Sequence, residues 1–158
     1  MNQQLFLSEI EHPKWEGKIK EIMESHEGAV PIPEQKDEGR HLETRNAFWY
    51  RATIEEEIVG IGRLEEKEAS SFEVTILIDN NYVGKGYGKI FLNKLEIEAL
   101  KHGASSIIAI VSPENTRAEH VVSWFESEGY KVLTAGNINI LLRAGKSIQL
   151  VKIIIDEY

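Results

Sequence analysis

Ile78-Asp-Asn-Asn-Tyr-Val-Gly-Lys-Gly-Tyr-Gly-Lys89 is the most informative segment of this chain, because it holds three of the 12 glycines at alternate positions. It follows an apolar, β-rich run at 72–78 and precedes a run with the apolar spacing of an amphipathic helix. Glycines in such a connection permit a tight turn and leave backbone N–H groups open at a helix N-terminus, where the helix dipole favours an anion. The segment therefore predicts a cradle for a phosphate or pyrophosphate group.

Two common nucleotide-binding loops do not fit this spacing. A P-loop requires Ser or Thr directly after Gly-Lys, whereas Gly88-Lys89 is followed by Ile90. A dinucleotide fingerprint would require a third small residue where Lys89 or Phe91 stands. The phosphate cradle therefore belongs to neither of these two classes.

The residues on either side of the segment predict a mixed α/β sheet. The 158 residues, 42% of them apolar, fit one domain spanning 1–158 with a sizeable core. A loop is predicted at 28–40, and a hairpin turns at the three glutamates 55–57. Helices are predicted from Pro13, at 89–102 and at 118–125, and strands at 5–10, 47–54, 58–64, 72–78, 106–111, 130–133, 138–142 and 148–155.

Composition excludes several classes of function. The 18 basic and 26 acidic side chains give a net charge of −8, which disfavours broad binding to nucleic acid or to an anionic membrane. The chain has no cysteine, so mechanisms with a thiolate intermediate or a thiolate metal site are excluded. The five histidines lack the paired spacing of a metal site, and no metal is expected. The absence of a signal peptide and of a long apolar run indicates a cytoplasmic protein.

The segment and a second motif resemble the GNAT superfamily, whose members transfer an acyl group from acyl-coenzyme A to an amine. The family signature is Gln/Arg-x-x-Gly-x-Gly/Ala, and residues 83–88 match both glycine positions. The stretches 115–118 (Asn-Thr-Arg-Ala) and 124–130 (Trp-Phe-Glu-Ser-Glu-Gly-Tyr) resemble the family's Asn-x-x-Ala helix and the end of that helix. The resemblance implies a mostly antiparallel sheet with helices on both faces, whose central strands splay to admit the arm of acetyl-CoA.

The resemblance also implies which residues bind the co-substrate. Backbone N–H groups of the glycine loop would hold the pyrophosphate, and the preceding strand would pair with the pantetheine arm. The positions so implied are Ile76, Leu77, Ile78, Gly84, Lys85, Gly86, Tyr87, Gly88, Lys89 and Asn115. Asn115 would serve equally well as a helix N-cap. Two positions depart from the family: Val83 replaces the Gln or Arg, and Phe125 replaces a tyrosine that protonates the leaving thiolate in many members.

Glu73 is the candidate general base. An alkyl ammonium with a pKa of about 10.4 must lose a proton before it can attack a thioester, so a proton acceptor is needed. Glu73 lies on the polar face of the strand at 72–78, close to the glutamate base of histone-acetylating relatives, although a strand-end glutamate reaching solvent is equally compatible. The resemblance thus implies N-acetylation of a primary amine on a small molecule or a protein; the alternative is a catalytically weak CoA-binding or regulatory module. The apolar final strands suggest a sheet edge that could pair in a homodimer.

Overall fold

Residues 4–26, 38–68 and 70–154 are described by the structure, a computed structural model. The strands are β1 (Leu5–Ile10), β2 (Lys14–Trp15), β3 (Arg40–His41), β4 (Ala47–Ile54), β5 (Glu57–Glu68), β6 (Ser71–Ile78), β7 (Ser106–Val111), β8 (Lys131–Val132) and β9 (Ile148–Ile153). The helices are α1 (Gly17–Ser25), α2 (Tyr87–Lys101), α3 (Ala118–Ser127) and α4 (Ile138–Arg143), with a 3₁₀ turn at Asn80–Tyr82. Seven strands form one sheet in the order β1-β4-β5-β6-β7-β9-β8, and β2 pairs with β3.

The sheet is mostly antiparallel and opens at its centre. β6 and β7 form the parallel pair, and their ladder covers only Ser71 to Glu73 against Ser106 to Ile108. Beyond Glu73 the two strands are no longer paired, although β6 continues to Ile78 and remains paired with β5 along its other edge. The expected fold class and the splayed central strands are therefore confirmed.

Helices pack on both faces of this sheet. On one face α1 contacts β5 and β6 and covers a small core. The buried residues of that core are Trp15, Ile22, Met23, Leu42, Trp49, Ile61 and Leu77. On the other face α2 and α3 share the larger core, to which Phe91, Leu95, Val122 and Phe125 contribute. The glycines of β5 bring α2 close to the sheet, because a Cβ at Gly62 would lie 2.9 Å from Leu95 Cδ1.

One predicted strand is wrong. Residues 138–142 lie in helix α4, which ends at Arg143. The Asn137 side chain caps this helix by accepting a hydrogen bond from the N–H of Ile140 at 3.1 Å. Leu141 and Leu142 pack against the larger core. A short apolar run fits a buried strand and a helix equally well, and here the cap and the packing favour the helix.

The ends of several other elements also differ from the predictions. The first helix begins at Gly17 rather than near Pro13, because Lys14–Trp15 pairs with Arg40–His41. The predicted loop at 28–40 lies mostly outside the described residues, and its last residue, Arg40, is in β3. The expectation that the final strands form a sheet edge is wrong for β9, because β9 lies between β7 and β8. Dimerisation itself stays a prediction.

Candidate functional site

The splay leaves one edge of β6 without a strand partner. Asp79 N–H donates to the Val59 carbonyl at 2.8 Å, so the backbone of Asp79 faces β5. Because successive residues of a strand direct their backbone groups to opposite sides, Leu77 also faces β5, whereas Ile76 and Ile78 face the open side. The Leu77 side chain is buried beneath α1. The structure thus places two of the three sequence-predicted strand residues with their backbone groups on the unpaired edge.

The glycine loop follows directly at the open end of β6. Gly84 and Gly86 have φ angles of +80° and +84°, and Gly86 is the N-cap of α2. A Cβ at either glycine would meet no atom within 4 Å, so the space on the side-chain side of these residues is open. Lys85 and Lys89 are exposed at the same loop and supply positive charge. An open helix N-terminus with two lysines fits the phosphates of a nucleotide-like ligand.

Aromatic rings and α3 border the same loop. The rings of Tyr82 and Tyr87 lie 6.0 Å apart. The Lys85 ammonium lies 5.7 Å from the Tyr82 ring centroid. On the α3 side, a Cβ at Gly88 would lie 3.4 Å from a ring carbon of Trp124, so the start of α2 packs closely against α3.

Asp79 anchors the start of the loop. Its Oδ1 accepts a hydrogen bond from Asn81 N–H at 3.0 Å, and its Oδ2 pairs with the Lys18 ammonium of α1. The bond from Lys18 holds the pKa of this buried carboxyl below its ordinary value, even though burial raises it. His26, which follows the last residue of α1, has its Nε2 2.6 Å from the Ile78 carbonyl oxygen and acts there as the donor. The end of β6 is therefore fixed by side chains from α1.

Asn115 lies at the other side of the splay, ahead of α3. Its Oδ1 accepts a hydrogen bond from Arg117 N–H at 2.9 Å, so the side chain orders the turn into the helix. Asn115 also lines a cavity of about 800 Å³ between this turn and α4, whose charged lining residues are Arg117, Arg143 and Glu119. The structure therefore supports the helix-start role of Asn115 and places it beside a cavity that two arginines line.

The closed end of the β6–β7 pair, where Ser71 to Glu73 are paired with β7, carries a row of charges. Arg63, Glu65 and Lys67 of β5 lie beside Glu73 of β6, and Glu65 is the direct cross-strand partner of Glu73. Arg63 Nη2 lies 3.1 Å from Glu65 Oε2, and Lys67 Nζ lies 2.7 Å from Glu65 Oε1. Lys67 Nζ also lies 3.5 Å from Glu73 Oε1. The row alternates in sign along β5.

The two carboxylates of this row differ in how fully they are bonded. Burial raises the pKa of Glu65, but the hydrogen bonds from Lys67 and Arg63 outweigh it, and the net pKa lies below the ordinary value. Both oxygens of Glu65 have a cation partner. In the described part of the chain, Glu73 has only the longer contact to Lys67. Glu73 is therefore the less fully bonded carboxylate of the pair.

Val83 and Phe125, the two residues that depart from the GNAT pattern, both have apolar side chains. Val83 is 42% exposed beside the glycine loop. Phe125 is buried, with its ring in edge contact with Trp124 and Tyr130. Tyr130 is a core residue whose hydroxyl donates to Glu96 Oε2 at 2.8 Å.

Sequence reasoning missed the contributions of Lys18, His26 and Lys67. Lys18 and His26 reach β6 from a helix more than fifty residues earlier, with His26 separated from Ile78 by 52 positions. Lys67 is adjacent to Glu73 only because of the β5–β6 register. Alternation along β5 could have placed Lys67 on the same face as Glu65, but the pairing to β6 could not be read from the sequence.

The sequence comparisons identify the family. Residues 9–125 match the acetyltransferase (GNAT) family. Because this match spans more than half of the chain, the protein belongs to the GNAT acetyltransferase family, and the resemblance of the two motifs is confirmed. A comparison with curated protein sequences finds no match.

Several solved GNAT structures share the fold. A Bacillus subtilis acetyltransferase in complex with CoA has a TM-score of 0.71 and 18% identity, covering 96% of this chain and 100% of the other. The IAA acetyltransferase of Bacillus cereus has a TM-score of 0.68 and 16% identity, with the same coverage of 96% and 100%. The spermidine/spermine N-acetyltransferase of Vibrio cholerae has a TM-score of 0.63 and 14% identity, covering 95% of this chain and 92% of the other. At these identities the likeness concerns the fold.

Two features are absent from the part of the chain that the structure describes. No helix there is long and apolar enough to cross a membrane. Within those same residues, no group of three or more His, Asp or Glu side chains is arranged to hold a metal ion.

Proposed function

We propose that this protein transfers the acetyl group of acetyl-CoA to a primary amine by direct attack, with Glu73 as general base. The observation that carries the proposal is the splayed edge of β6, which leads from an open glycine loop at one end to an under-bonded carboxylate at the other. A substrate bound along this edge would have its phosphates at the loop and its reactive end towards Glu73.

The residues of the open end fit the CoA moiety. The backbone N–H groups of Gly84, Lys85, Gly86, Tyr87, Gly88 and Lys89 would hold the pyrophosphate, with additional charge from the two lysine side chains. The pantetheine arm would pair with the backbone groups of Ile76 and with the N–H of Ile78, whose carbonyl oxygen already accepts from His26, and Leu77 between them faces β5. Asn115 follows β7, the other strand of the splay, and lines a cavity together with Arg117 and Arg143. The bound co-substrate supplies an activated acetyl thioester.

The closed end supplies the proton chemistry. An amine with a pKa near 10.4 is mostly protonated at pH 7, and its deprotonation costs about 5 kcal/mol. Glu73 would take this proton, directly or through one water. The amine nitrogen then forms a bond to the thioester carbonyl carbon, the carbon–sulfur bond breaks, and the sulfur leaves with the electron pair. The nitrogen loses its second proton as the amide forms, and this proton passes through solvent to the leaving thiolate, which gives free CoA. N–H groups on the free edge of β6 would stabilise negative charge on the carbonyl oxygen.

The structural neighbours support an amine acceptor without naming it. Proteins of the same fold include an aminoglycoside 6′-N-acetyltransferase complexed with coenzyme A and the spermidine/spermine enzyme. Both names describe acetylation of an amine. A panel for this protein should therefore contain polyamines, aminoglycosides, aromatic amines and lysine peptides.

The first test is activity of the Glu73→Gln variant on an amine from this panel. General-base catalysis contributes roughly 100- to 10,000-fold, so kcat should fall at least about 100-fold. The affinity for acetyl-CoA, measured by calorimetry, should be unchanged because Glu73 lies at the other end of the strand from the loop. Unchanged turnover and an unchanged pH–rate profile would remove Glu73 from the mechanism.

Glu66→Gln is the matched control for that experiment. Glu66 is the neighbour of Glu65 on β5, but alternation directs it to the opposite face, and it is exposed. Its substitution removes the same charge from the same strand pair and should leave kcat within about twofold.

A second candidate function is CoA binding without efficient transfer. It is favoured by Val83 at the polar position of the loop and by the buried Phe125, which cannot donate a proton. This alternative predicts that CoA and acetyl-CoA raise the unfolding temperature while no amine of the panel is acetylated. A shift produced by ATP or NAD instead would indicate a nucleotide-binding regulator and contradict both candidates.

A further inference from the structure

Glu65 and Glu73 place two negative charges directly opposite each other in the sheet. They are register partners in the antiparallel β5–β6 ladder, so their side chains project from the same face. Directly opposed side chains of this kind have Cβ atoms about 5 Å apart, and like charges at such positions destabilise each other. A cation placed between the two carboxylates would offset this repulsion.

Lys67 supplies that cation to Glu73. Its Nζ lies 2.7 Å from Glu65 Oε1 and 3.5 Å from Glu73 Oε1, so one ammonium contacts both carboxylates. Arg63 contacts Glu65 alone. Across the other edge of β6, the register partner of Glu73 is the uncharged Ile108. Within the described residues, Lys67 is thus the one cation that forms an ion pair with Glu73.

Glu65 remains a charged neighbour under working conditions. The bonds from Lys67 and Arg63 keep its pKa below the ordinary value against the opposing effect of burial. The hydrogen bond to Glu65 in turn raises the pKa of Lys67, so the ammonium stays protonated. Without Lys67, Glu73 would face the negative charge of Glu65 with no cation between them.

We propose that Lys67 is a positioning residue whose ammonium, placed between Glu65 and Glu73, keeps Glu73 in the proton-accepting form. The inference rests on the proposed role of Glu73 as general base. It also assigns Glu65 an opposing role, because its negative charge disfavours ionisation of Glu73 and it shares the ammonium. Lys67 side-chain atoms are 44% exposed, so the residue can be substituted without opening the core.

The test is the pH dependence of kcat/KM in three variants. Lys67→Met removes the cation but keeps the length of the side chain, and should move the acidic limb of the profile up by about one pH unit. Glu65→Gln removes the opposing charge and frees Lys67 for Glu73, and should move the same limb down. Lys67→Arg restores the charge and should return the limb to its wild-type position.

Lys101→Gln is the control for this series. Lys101 also forms a surface ion pair, with Glu98 Oε1 at 3.2 Å on α2, on the opposite face of the sheet. Its substitution should not move the acidic limb. Equal shifts in Lys67→Met and Lys101→Gln would reduce the effect to overall charge and overturn the proposal.

An NMR titration of the Glu73 carboxyl carbon separates this proposal from the base assignment. The titration midpoint should rise in Lys67→Met and fall in Glu65→Gln, whether or not the enzyme is turning over. If the midpoint moves as expected but the rate profile does not, Lys67 acts on Glu73 and the assignment of Glu73 as base fails. If the midpoint stays in place in both variants, the role of Lys67 is wrong.

Discussion

The two ends of the β6–β7 pair use different parts of the chain. At the closed end, side chains face one another: Ser71 Oγ lies 2.7 Å from Ser106 Oγ, and the charged row ends at Glu73. At the open end, the backbone is presented instead, through the free edge at Ile76 and Ile78 and through the glycine loop. A ligand that is the same in every reaction can be held by backbone, whereas proton transfer needs a particular side chain.

A buried polar contact links the two sides of this opening. Glu96 of α2 is 8% exposed and accepts the hydroxyl of Tyr130. Its carboxylate also lies 3.2 Å from the Lys152 ammonium of β9. Since α2 follows β6 and β9 lies beyond β7, these three side chains connect the elements on either side of the splay. These contacts lie on the α2 face of the sheet and join the two sides of the splay.

The largest effect on this arrangement should come from Gly86→Val at the open end. Gly86 has a φ of +84°, a conformation that a β-branched residue rarely adopts, so the loop would have to rearrange. Loss of two N–H bonds to phosphate, each contributing roughly 1.5 kcal/mol, would raise the Kd for CoA about 100-fold. Isothermal calorimetry with CoA measures this change.

Gly103→Val controls for backbone strain in that experiment. Gly103 follows the other end of α2, has a φ of +87° and, like Gly86, has no atom within 4 Å of a Cβ built on it. Both variants should lose stability, but only Gly86→Val should lose CoA affinity. Equal losses of affinity would mean that the open end owes its binding to overall stability rather than to the loop.

The next largest effect is expected from Tyr130→Phe, which breaks the link across the opening. Removing the hydroxyl leaves buried Glu96 without one donor and should lower the free energy of unfolding by about 2 kcal/mol. Tyr50→Phe is the matched control, because Tyr50 is equally buried at 2% exposed but its hydroxyl lies 3.4 Å from His102 Nε2. That variant should cost only about 0.5 kcal/mol.

Urea denaturation distinguishes the two tyrosine variants, and CoA binding adds a second readout. If the contact with Glu96 sets the separation of the strands, Tyr130→Phe should also weaken CoA binding, whereas Tyr50→Phe should not. Equal losses of stability in the two variants would mean that removing any buried tyrosine hydroxyl has this effect, and that the contact with Glu96 contributes nothing specific.

The open end could be predicted from the sequence because its function depends on local spacing. Glycines at fixed positions between a strand and a helix define both the turn and the exposed N–H groups, and all of this information lies within residues 84–88. Gly86 indeed adopts the left-handed conformation that the turn requires. The splay between β6 and β7 was predicted from the family resemblance and not from any pattern in the strands themselves.

The closed end could be predicted only in part. The alternation along β6 placed Glu73 on a polar face, but Lys67 and Glu65 meet it through a strand register that hydrophobic alternation does not specify. The prediction of a strand at 138–142 is wrong for a related reason. Its apolar run carries no period that separates strand from helix, and packing against the larger core determined the outcome.

The smallest expected effect concerns the hydroxyl contact between Ser71 and Ser106 at the closed end. Ser71 and Ser106 are register partners on the parallel strands, and their hydroxyls form the contact nearest to the start of the ladder. A double-mutant cycle with Ser71→Ala and Ser106→Ala should give a coupling energy of about 0.5–1 kcal/mol, because cross-strand hydroxyl pairs contribute amounts of this order.

Ser105, whose hydroxyl donates instead to the Ser70 carbonyl at 3.2 Å, offers the control cycle with Ser71. Those two substitutions should be additive in the free energy of unfolding, and CoA affinity should stay constant throughout, since neither pair lies on the free edge of β6. A coupling in the control cycle as large as that between Ser71 and Ser106 would show that the ladder, and not the hydroxyl contact, joins the strands at this end.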